Sequence, residues 1–322
     1  MKKLPMEEIK DIPTRQVIED LRARKYSLLE SAGCHKLRSE MKWPGLVCRL
    51  VINWVWGTSG IDKKSFRHDR LVAAKLAKLL DWAAPSEITG TIPTRTHSLV
   101  IGFNHPSLGE IIRFIRICMS DHHNHSHLFP VNLPWYEALM PVVDKLERLG
   151  IYITPIITPS TYDKMQKIAS NEDMIVIEEL RKGFSMRYVE LCTEFVKNHG
   201  VIWVAPSATR RPTVFRSKNE YDNLERAEPP TMTLIASSMV RAGIKDCEFL
   251  SCAVVPPQGA TRGLNLFKEY ELNFGECYDM NQVGWLIRQK CEHHRGRMFE
   301  YEFLQSICHS LKSMNAEHLF YS

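Results

Sequence analysis

Two residues five positions apart, His105 and Glu110, carry the clearest chemical signal in the sequence. On one continuous helix, residues five apart point about 140° away from each other and could not meet. Pro106 and Gly109 lie between them and predict a turn from a strand into a helix, across which the two side chains can fold back. A carboxylate bonded to one imidazole nitrogen fixes the tautomer and leaves the other nitrogen as a general base. The alternative is that His105 caps a turn and Glu110 is an acidic residue of a first helical turn.

A second stretch, residues 201–212, has the sequence VIWVAPSATRRP. Its apolar half predicts a buried strand, and Pro206 and Ser207 predict a turn after it. Arg210 and Arg211 follow that turn. Arginine is suited to bidentate contacts with a phosphate or a carboxylate, and the loops at strand ends are where α/β sheets bind ligands. The alternative is a solvated surface turn.

Together, the two stretches resemble the glycerolipid acyltransferase family, whose first block is a His, four residues and an Asp. The closer resemblance is to the soluble, plastid-type glycerol-3-phosphate acyltransferases. Their third block is similar to Ile-Trp-Ile-Ala-Pro-Ser followed by Arg residues and a Pro, as in residues 202–212 here. Residues 230–239 (PTMTLIASSM) and 252–257 (CAVVPP) are also similar to that subfamily. The resemblance covers roughly residues 95–275, with the blocks in the expected order.

This resemblance implies transfer of a fatty acyl group to the sn-1 hydroxyl of glycerol-3-phosphate, the first step of phospholipid synthesis. The donor would be acyl-carrier protein or acyl-CoA, and neither a metal nor another cofactor would be required. His105 would be the general base, and Glu110 would orient it. The residues that would bind the acceptor are Ser207, Arg210, Arg211 and, as a weaker candidate, Lys164.

The sequence departs from the family pattern at three places, one of which is Ser207-Ala208 in place of the general family's Glu-Gly, although Ser207 agrees with the plastid type. Glu110 stands where the family has an Asp, which adds one methylene to the carboxylate arm. The second block, which supplies a Lys-His pair in the plastid type, is poorly matched by residues 155–165, where Lys164 is the only cation. The acceptor therefore stays open between glycerol-3-phosphate and a lysophosphatidate or another lipid hydroxyl. An alternative of another class is a non-catalytic acyl-carrier or lipid-binding protein.

Composition excludes several classes of protein. The 322 residues are 44% hydrophobic and 25% charged, as in ordinary globular proteins. A net charge of +5 is too small to indicate a nucleic-acid binder, but it fits a local basic pocket for an anionic substrate. Nine scattered cysteines and a first segment without an apolar signal predict reduced thiols in the cytoplasm. Since no uncharged apolar run approaches the roughly 20 residues of a membrane span, we expect at most a transient, peripheral contact with a membrane surface.

Two other groups of residues invite a chemical interpretation. Residues 121–127 (DHHNHSH) could bind zinc, but sequential ligands on a short loop rarely make a closed site, so we expect a solvated connection and no metal. Nothing in the sequence marks Cys252 as an activated nucleophile, so we expect a buried structural thiol.

The pattern of apolar residues predicts how the chain is organised. Residues 1–90 carry helical periodicity and predict a small helical N-terminal domain, with a boundary near residues 85–93, where Pro and Gly cluster. From there strands and helices alternate, which predicts an α/β acyltransferase domain over residues 91–322, with a mixed sheet flanked by helices. The predicted strands cover residues 98–103, 151–157, 201–205, 248–255 and 266–274, and the predicted helices include 14–41, 63–82, 108–119, 135–149, 173–198 and 231–241.

Overall fold

The computed structural model describes residues 34–60, 65–92, 97–107, 109–121, 125–167, 171–206, 213–215, 217–223, 231–260, 265–289 and 298–321. Its helices are α1 (Cys34–Thr58), α2 (Phe66–Ala83), α3 (Gly109–Asp121), α4 (Leu133–Leu139), α5 (Val143–Arg148), α6 (Pro159–Gln166), α7 (Asn171–Lys197), α8 (Lys218–Asn223), α9 (Thr231–Arg241), α10 (Met280–Arg288) and α11 (Met298–Ser313). Short 3-10 turns cover Met140–Val142 and Glu317–Leu319.

Within the described residues, the strands form one mixed sheet of seven strands in the order β1-β7-β6-β2-β5-β3-β4. They are β1 (Ser86–Gly90), β2 (Ser98–Phe103), β3 (His127–Asn132), β4 (Ile151–Ile156), β5 (Val201–Val204), β6 (Cys247–Val255) and β7 (Tyr270–Asp279). Strands β6, β2, β5 and β3 run parallel to one another, whereas β7 is antiparallel to β6. The predicted fold class, a mixed α/β sheet flanked by helices, is confirmed.

Strand β2 is central in this sheet, and all six of its residues are buried. An apolar run with no polar alternation is typical of a parallel strand covered on both faces. At Gly102 there is no room for a side chain, because a Cβ there would lie 2.3 Å from Cε1 of Phe303 on α11. The carboxyl end of β2 is therefore packed closely against α11, directly before the turn that carries His105.

The chain divides into two compact units. The first comprises the described residues within 1–58, 129–148 and 152–191, and the second those within 59–128, 149–151 and 192–322. A buried cluster of apolar side chains forms the core of the first unit: Leu133, Tyr136, Ile157, Met165, Ile177, Leu180 and Phe184. The second unit contains β2, β5, β6 and β7, with α2, α3 and α11.

Near the predicted domain boundary at residues 85–93, residues 86–90 form the edge strand β1, which pairs with β7 in parallel. Two predicted bounds of elements are wrong for identifiable reasons. The predicted helix 135–149 is interrupted by the 3-10 turn at Met140–Val142, where Pro141 supplies no backbone donor. Residues 266–267 form a turn before β7 rather than part of a strand, because Phe267 has a φ of 61°.

Other predicted bounds agree with the structure. Strand 98–103 and helix 231–241 have the predicted limits. Of the predicted helix 14–41, residues 14–33 lie outside the described residues. The division into domains 1–90 and 91–322 stays a prediction.

Candidate active site

Asn104, in the turn after β2, forms hydrogen bonds with the backbone of the neighbouring strand β6. Its Nδ2 donates to the carbonyl of Val254 at 2.8 Å, and its Oδ1 accepts from the backbone N–H of Val254 at 2.7 Å. Because β2 and β6 are parallel, this pair of bonds holds the chain at the carboxyl edge of both strands. In α/β sheets this is the edge where ligands bind. His105 is the next residue.

His105 and Glu110 meet as the spacing predicts. Nδ1 of His105 forms a short hydrogen bond with Oε1 of Glu110. The Glu110 side chain has no exposed surface, whereas 16% of the His105 side chain is exposed. Since a carboxylate only accepts, Nδ1 carries the hydrogen and Nε2 keeps its lone pair. The partly exposed imidazole therefore has the tautomer that a general base needs.

A second hydrogen-bond chain holds the other oxygen of Glu110. Ser107 Oγ donates to Glu110 Oε2 at 2.8 Å and has no second hydrogen to donate. In the contact of 2.6 Å between Ser107 Oγ and the hydroxyl of Tyr270, Tyr270 is therefore the donor. The Tyr270 oxygen in turn accepts from Nδ2 of Asn265 at 3.0 Å. The chain thus runs in one direction, from the Asn265 amide to the carboxylate.

Burial raises the pKa of Tyr270, although the hydrogen bond that its oxygen accepts from Asn265 opposes that shift. The phenol therefore keeps its proton over the physiological range and acts as a donor. Tyr270 is the first residue of β7, so its contact with Ser107 joins two residues that are 163 positions apart in the chain.

Arg113 supports the same cluster from the next turn of α3. Its guanidinium stacks over the Tyr270 ring, 4.1 Å from the centroid. It also donates to the carbonyls of Gly109 at 2.8 Å and Lys268 at 2.6 Å. Burial lowers the pKa of Arg113, and the electrostatic interactions with Tyr270 and Glu110 act against that. A guanidinium stays protonated in proteins, so Arg113 places a buried positive charge near the carboxylate.

Of the predicted site residues, the structure brings His105 and Glu110 together. Ser207, Arg210 and Arg211 lie outside the described residues. Lys164 is exposed on α6, in the first compact unit, while His105 and Glu110 belong to the second.

The strand before residue 207 ends beside β2. Val204 of β5 is the register partner of Gly102 of β2, and the two strands are parallel. The carboxyl end of β5 is therefore at the same edge of the sheet as the turn that carries His105. Pro206 is the last described residue after it.

Sequence reasoning missed Ser107, Tyr270, Asn265 and Arg113. The spacing of Ser107 and Glu110 is that of a helix capping box, which could have pointed to their contact. No local signal links Tyr270 or Asn265 to His105, because they approach it only through the pairing of β7 with β6.

Cys252 lies at the register position of Phe103, close to the site, and is fully buried. Burial raises the pKa of its thiol, and the nearby charge of Glu110 adds to that shift. A thiol held in its neutral form is a poor nucleophile. The interpretation of Cys252 as a buried structural thiol is consistent with this placement.

Among the described residues, no group of three His, Cys, Asp or Glu side chains is arranged to hold a metal ion. His122 and His123, part of the histidine-rich stretch, lie outside them. Of the helices in the described ranges, none is both long and apolar enough to cross a membrane. No protein-family model matches the sequence, and no curated protein is significantly similar to it.

Proposed function

We propose that the chain is an acyltransferase that moves a fatty acyl group from a carrier thioester to the sn-1 hydroxyl of glycerol-3-phosphate. The observation that carries the proposal is the pairing of a partly exposed imidazole with a fully buried carboxylate at the carboxyl edge of parallel strands. The resemblance of residues 95–275 to glycerolipid acyltransferases supports the choice of reaction.

In the proposed reaction, Nε2 of His105 takes the proton of the acceptor hydroxyl. The hydroxyl oxygen bonds to the thioester carbonyl carbon, and the carbon–sulfur bond breaks. The proton then passes from the imidazolium to the departing thiolate, so that His105 returns to its first state. Glu110 stabilises the imidazolium between these steps.

Direct transfer, without an acyl-enzyme, is supported by the placement of two nucleophiles among the described residues of the site, Ser107 and Cys252. Ser107 Oγ has no exposed surface and donates its hydrogen to Glu110 rather than to His105. Cys252 is buried with a raised pKa. Neither side chain has the exposure and the adjacent base that a covalent catalyst requires.

For the acceptor phosphate we propose Arg210 and Arg211, together with Ser207. The carboxyl end of β5 supports this choice, because it lies at the same edge of the sheet as the turn that carries His105. Lys164 stays a weaker candidate. Holding the hydroxyl against the carbonyl contributes several kcal/mol, so these residues are expected to affect the rate as well as affinity.

We propose acyl-carrier protein or acyl-CoA as the donor and no cofactor. The proposed setting is the cytoplasm, with a transient membrane contact for release of the lipid product. The runner-up within the class is a lysophosphatidate or other lipid-hydroxyl acyltransferase. The runner-up of another class is a non-catalytic acyl-carrier or lipid-binding protein.

A transfer assay on the purified chain tests the proposal. Labelled acyl-carrier protein and labelled acyl-CoA are each offered with glycerol-3-phosphate, a lysophosphatidate or no acceptor. The expected product is lysophosphatidate formed from glycerol-3-phosphate, lost in His105→Ala and kept in the matched variant His309→Ala. His309 is exposed and lies 3.7 Å from Glu276, so it forms a histidine–acid pair on the surface of the same unit.

Each other result has a defined meaning. Transfer only to the lysophosphatidate favours the runner-up acceptor. Tight acyl-donor binding with no product in folded protein supports the non-catalytic alternative. Equal turnover in His105→Ala and the wild type overturns the proposed mechanism.

A further inference from the structure

Helix α2 presents large apolar side chains to solvent on the face opposite its buried side. Its buried residues, such as Val72 and Leu76, belong to the core of the second unit. On the outer face Leu71 is exposed, and Trp82 has 69% of its surface exposed. Trp82 is in edge contact with Phe267, with ring centroids 4.8 Å apart, and Phe267 is itself 60% exposed. Two aromatic rings thus meet at the surface instead of in the core.

The same face of α2 carries a line of cations. At 100° per residue, a set of exposed residues on α2 falls within an arc of about 80° and a length of about 22 Å. We refer to this set as the α2 stripe: Arg67, Leu71, Lys75, Lys78 and Trp82.

Neither acidic residue of α2 falls within the arc of the stripe. Asp69 is buried, and Asp81 forms an ion pair of 2.8 Å with Arg116 on α3. Next to Phe267, the charges of Lys268 and Glu269 offset each other. The stripe therefore combines positive charge with exposed Leu and Trp side chains.

The backbone holds Phe267 in an unfavourable conformation. Phe267 and Asn265 both have positive φ angles, 61° and 46°, a region that bulky residues rarely adopt. The turn is fixed by the bond from Phe267 N–H to the carbonyl of Ala83 at 2.8 Å. Arg113 adds bonds to the carbonyls of Asn265 and Lys268. Burial of the ring does not compensate for this conformation, and residues strained in this way concentrate where proteins contact ligands.

We propose that the α2 stripe and Phe267 form a docking surface for a bilayer that contains anionic lipids. Trp82 and Phe267 enter the headgroup region, where aromatic side chains prefer to lie, and the cations of the stripe contact lipid phosphates. A bilayer suits this surface better than an acidic protein does. Protein interfaces concentrate aromatic anchors in pockets and deplete charge at their centre, whereas here cations lie between Leu71 and the aromatic pair.

The docking surface and the candidate active site share one loop. Asn265, whose amide supports Tyr270, is two residues from Phe267. Membrane docking would therefore bring the candidate active site close to the lipid phase. The docking proposal does not depend on the proposed acyl transfer, because it rests on α2 and the 265–269 turn alone.

Vesicle co-sedimentation of the full chain tests the proposal. The probes are vesicles of phosphatidylcholine mixed with phosphatidylglycerol, and vesicles of phosphatidylcholine alone. Binding is expected to the mixed vesicles, weakening as salt is added. The variant Lys75→Gln/Lys78→Gln is expected to weaken it by about thirty-fold, since each lysine contributes a factor of about five. Trp82→Ala is expected to weaken it by about tenfold.

Matched variants elsewhere on the second unit serve as controls. Lys245→Gln/Lys312→Gln removes the same charge from another exposed surface. Trp285→Ala removes a tryptophan that is 58% exposed on α10. Both are expected to bind mixed vesicles as the wild type does, and thermal unfolding verifies that every variant is folded.

Three results would overturn the proposal. The first is that the wild type does not bind the mixed vesicles. The second is binding that the control variants reduce as much as the α2 variants do. The third is binding of an acidic protein, such as acyl-carrier protein, through Lys75 and Lys78 without vesicle binding. If Trp82→Ala is unfolded, vesicle binding of Lys75→Gln/Lys78→Gln, compared with that of Lys245→Gln/Lys312→Gln, tests the proposal.

Discussion

Two histidines at opposite ends of the parallel strands show what separates a candidate catalytic side chain from a structural one. His105 follows the carboxyl end of β2, is partly exposed and contacts the carboxylate of Glu110. His127 is the first residue of β3, at the other edge of the parallel strands, and has no exposed surface. Its Nδ1 accepts a hydrogen bond of 3.2 Å from Nε1 of Trp203. Position in the sheet and the partner of Nδ1 thus distinguish two residues of one type.

The partner matters because it selects the tautomer. A carboxylate that accepts from Nδ1 leaves the lone pair on Nε2. An indole N–H donated to Nδ1 instead requires the lone pair of Nδ1, which places the hydrogen of a neutral imidazole on Nε2. Burial then removes His127 from any substrate. The comparison predicts that substitutions around His105 change the rate and that those around His127 change stability.

The largest expected effect is the loss of kcat in His105→Ala, which is compared with His127→Ala. Loss of the general base lowers kcat by about 10²–10⁴, with little change in the unfolding midpoint. His127→Ala leaves kcat per folded molecule unchanged and lowers the free energy of unfolding by about 1–3 kcal/mol, because the Trp203 N–H loses its acceptor. Steady-state kinetics with urea denaturation checks both. A folded His127→Ala protein as inactive as His105→Ala would contradict the assignment of a structural role to His127.

Glu110→Gln is expected to come next, with kcat lower by about a hundredfold and KM little changed. His105 Nδ1 and Ser107 Oγ donate to different oxygens of Glu110, and an amide replaces one of these acceptors by an NH₂ group, so one of the two bonds is lost. The matched variant is Glu276→Gln, which alters the exposed acid beside His309. Wild-type kcat in a folded Glu110→Gln protein would show that the carboxylate is only structural.

Tyr270→Phe tests a residue that positions Glu110 through Ser107. It removes the donor to Ser107 Oγ and the acceptor of the Asn265 amide, so we expect kcat to fall by about three- to tenfold at constant KM. The control is Tyr278→Phe, which removes a phenol that donates to Glu276 at 2.8 Å. Equal effects of the two variants on kcat would assign Tyr270 a merely structural role.

Trp203→Phe is expected to have the smallest effect. It removes the hydrogen bond to His127 while keeping an aromatic ring near Phe114, on which Trp203 stacks with centroids 4.6 Å apart. The free energy of unfolding should fall by about 0.5–1.5 kcal/mol, measured by urea denaturation, with kcat unchanged. A drop in kcat would mean that the two edges of the sheet are coupled.

Parts of the fold were predictable because the signal is local. Strand β2 is a short apolar run beside a turn, and helix α9 repeats apolar residues at helical spacing. Strand β1 has no apolar run or periodic pattern, because four of its five residues are exposed. The elements next to it in the sequence do not pair with it. Its partner β7 begins at Tyr270, far along the sequence, and long-range pairing leaves no periodic trace in a short polar strand.

The candidate site likewise contains contacts that are local in the sequence and contacts that depend on long-range strand pairing. The contact of His105 with Glu110 could be predicted from the sequence, because the Pro and the Gly between them favour a short-range turn. The way in which the carboxylate is held depends on tertiary contacts. Ser107 is local, but Tyr270 and Asn265 reach it from β7 and the turn before that strand, once the antiparallel pairing of β7 with β6 has formed. The physical reason is that turn and helix preferences act over a few residues, whereas the register of a sheet depends on segments brought together by folding.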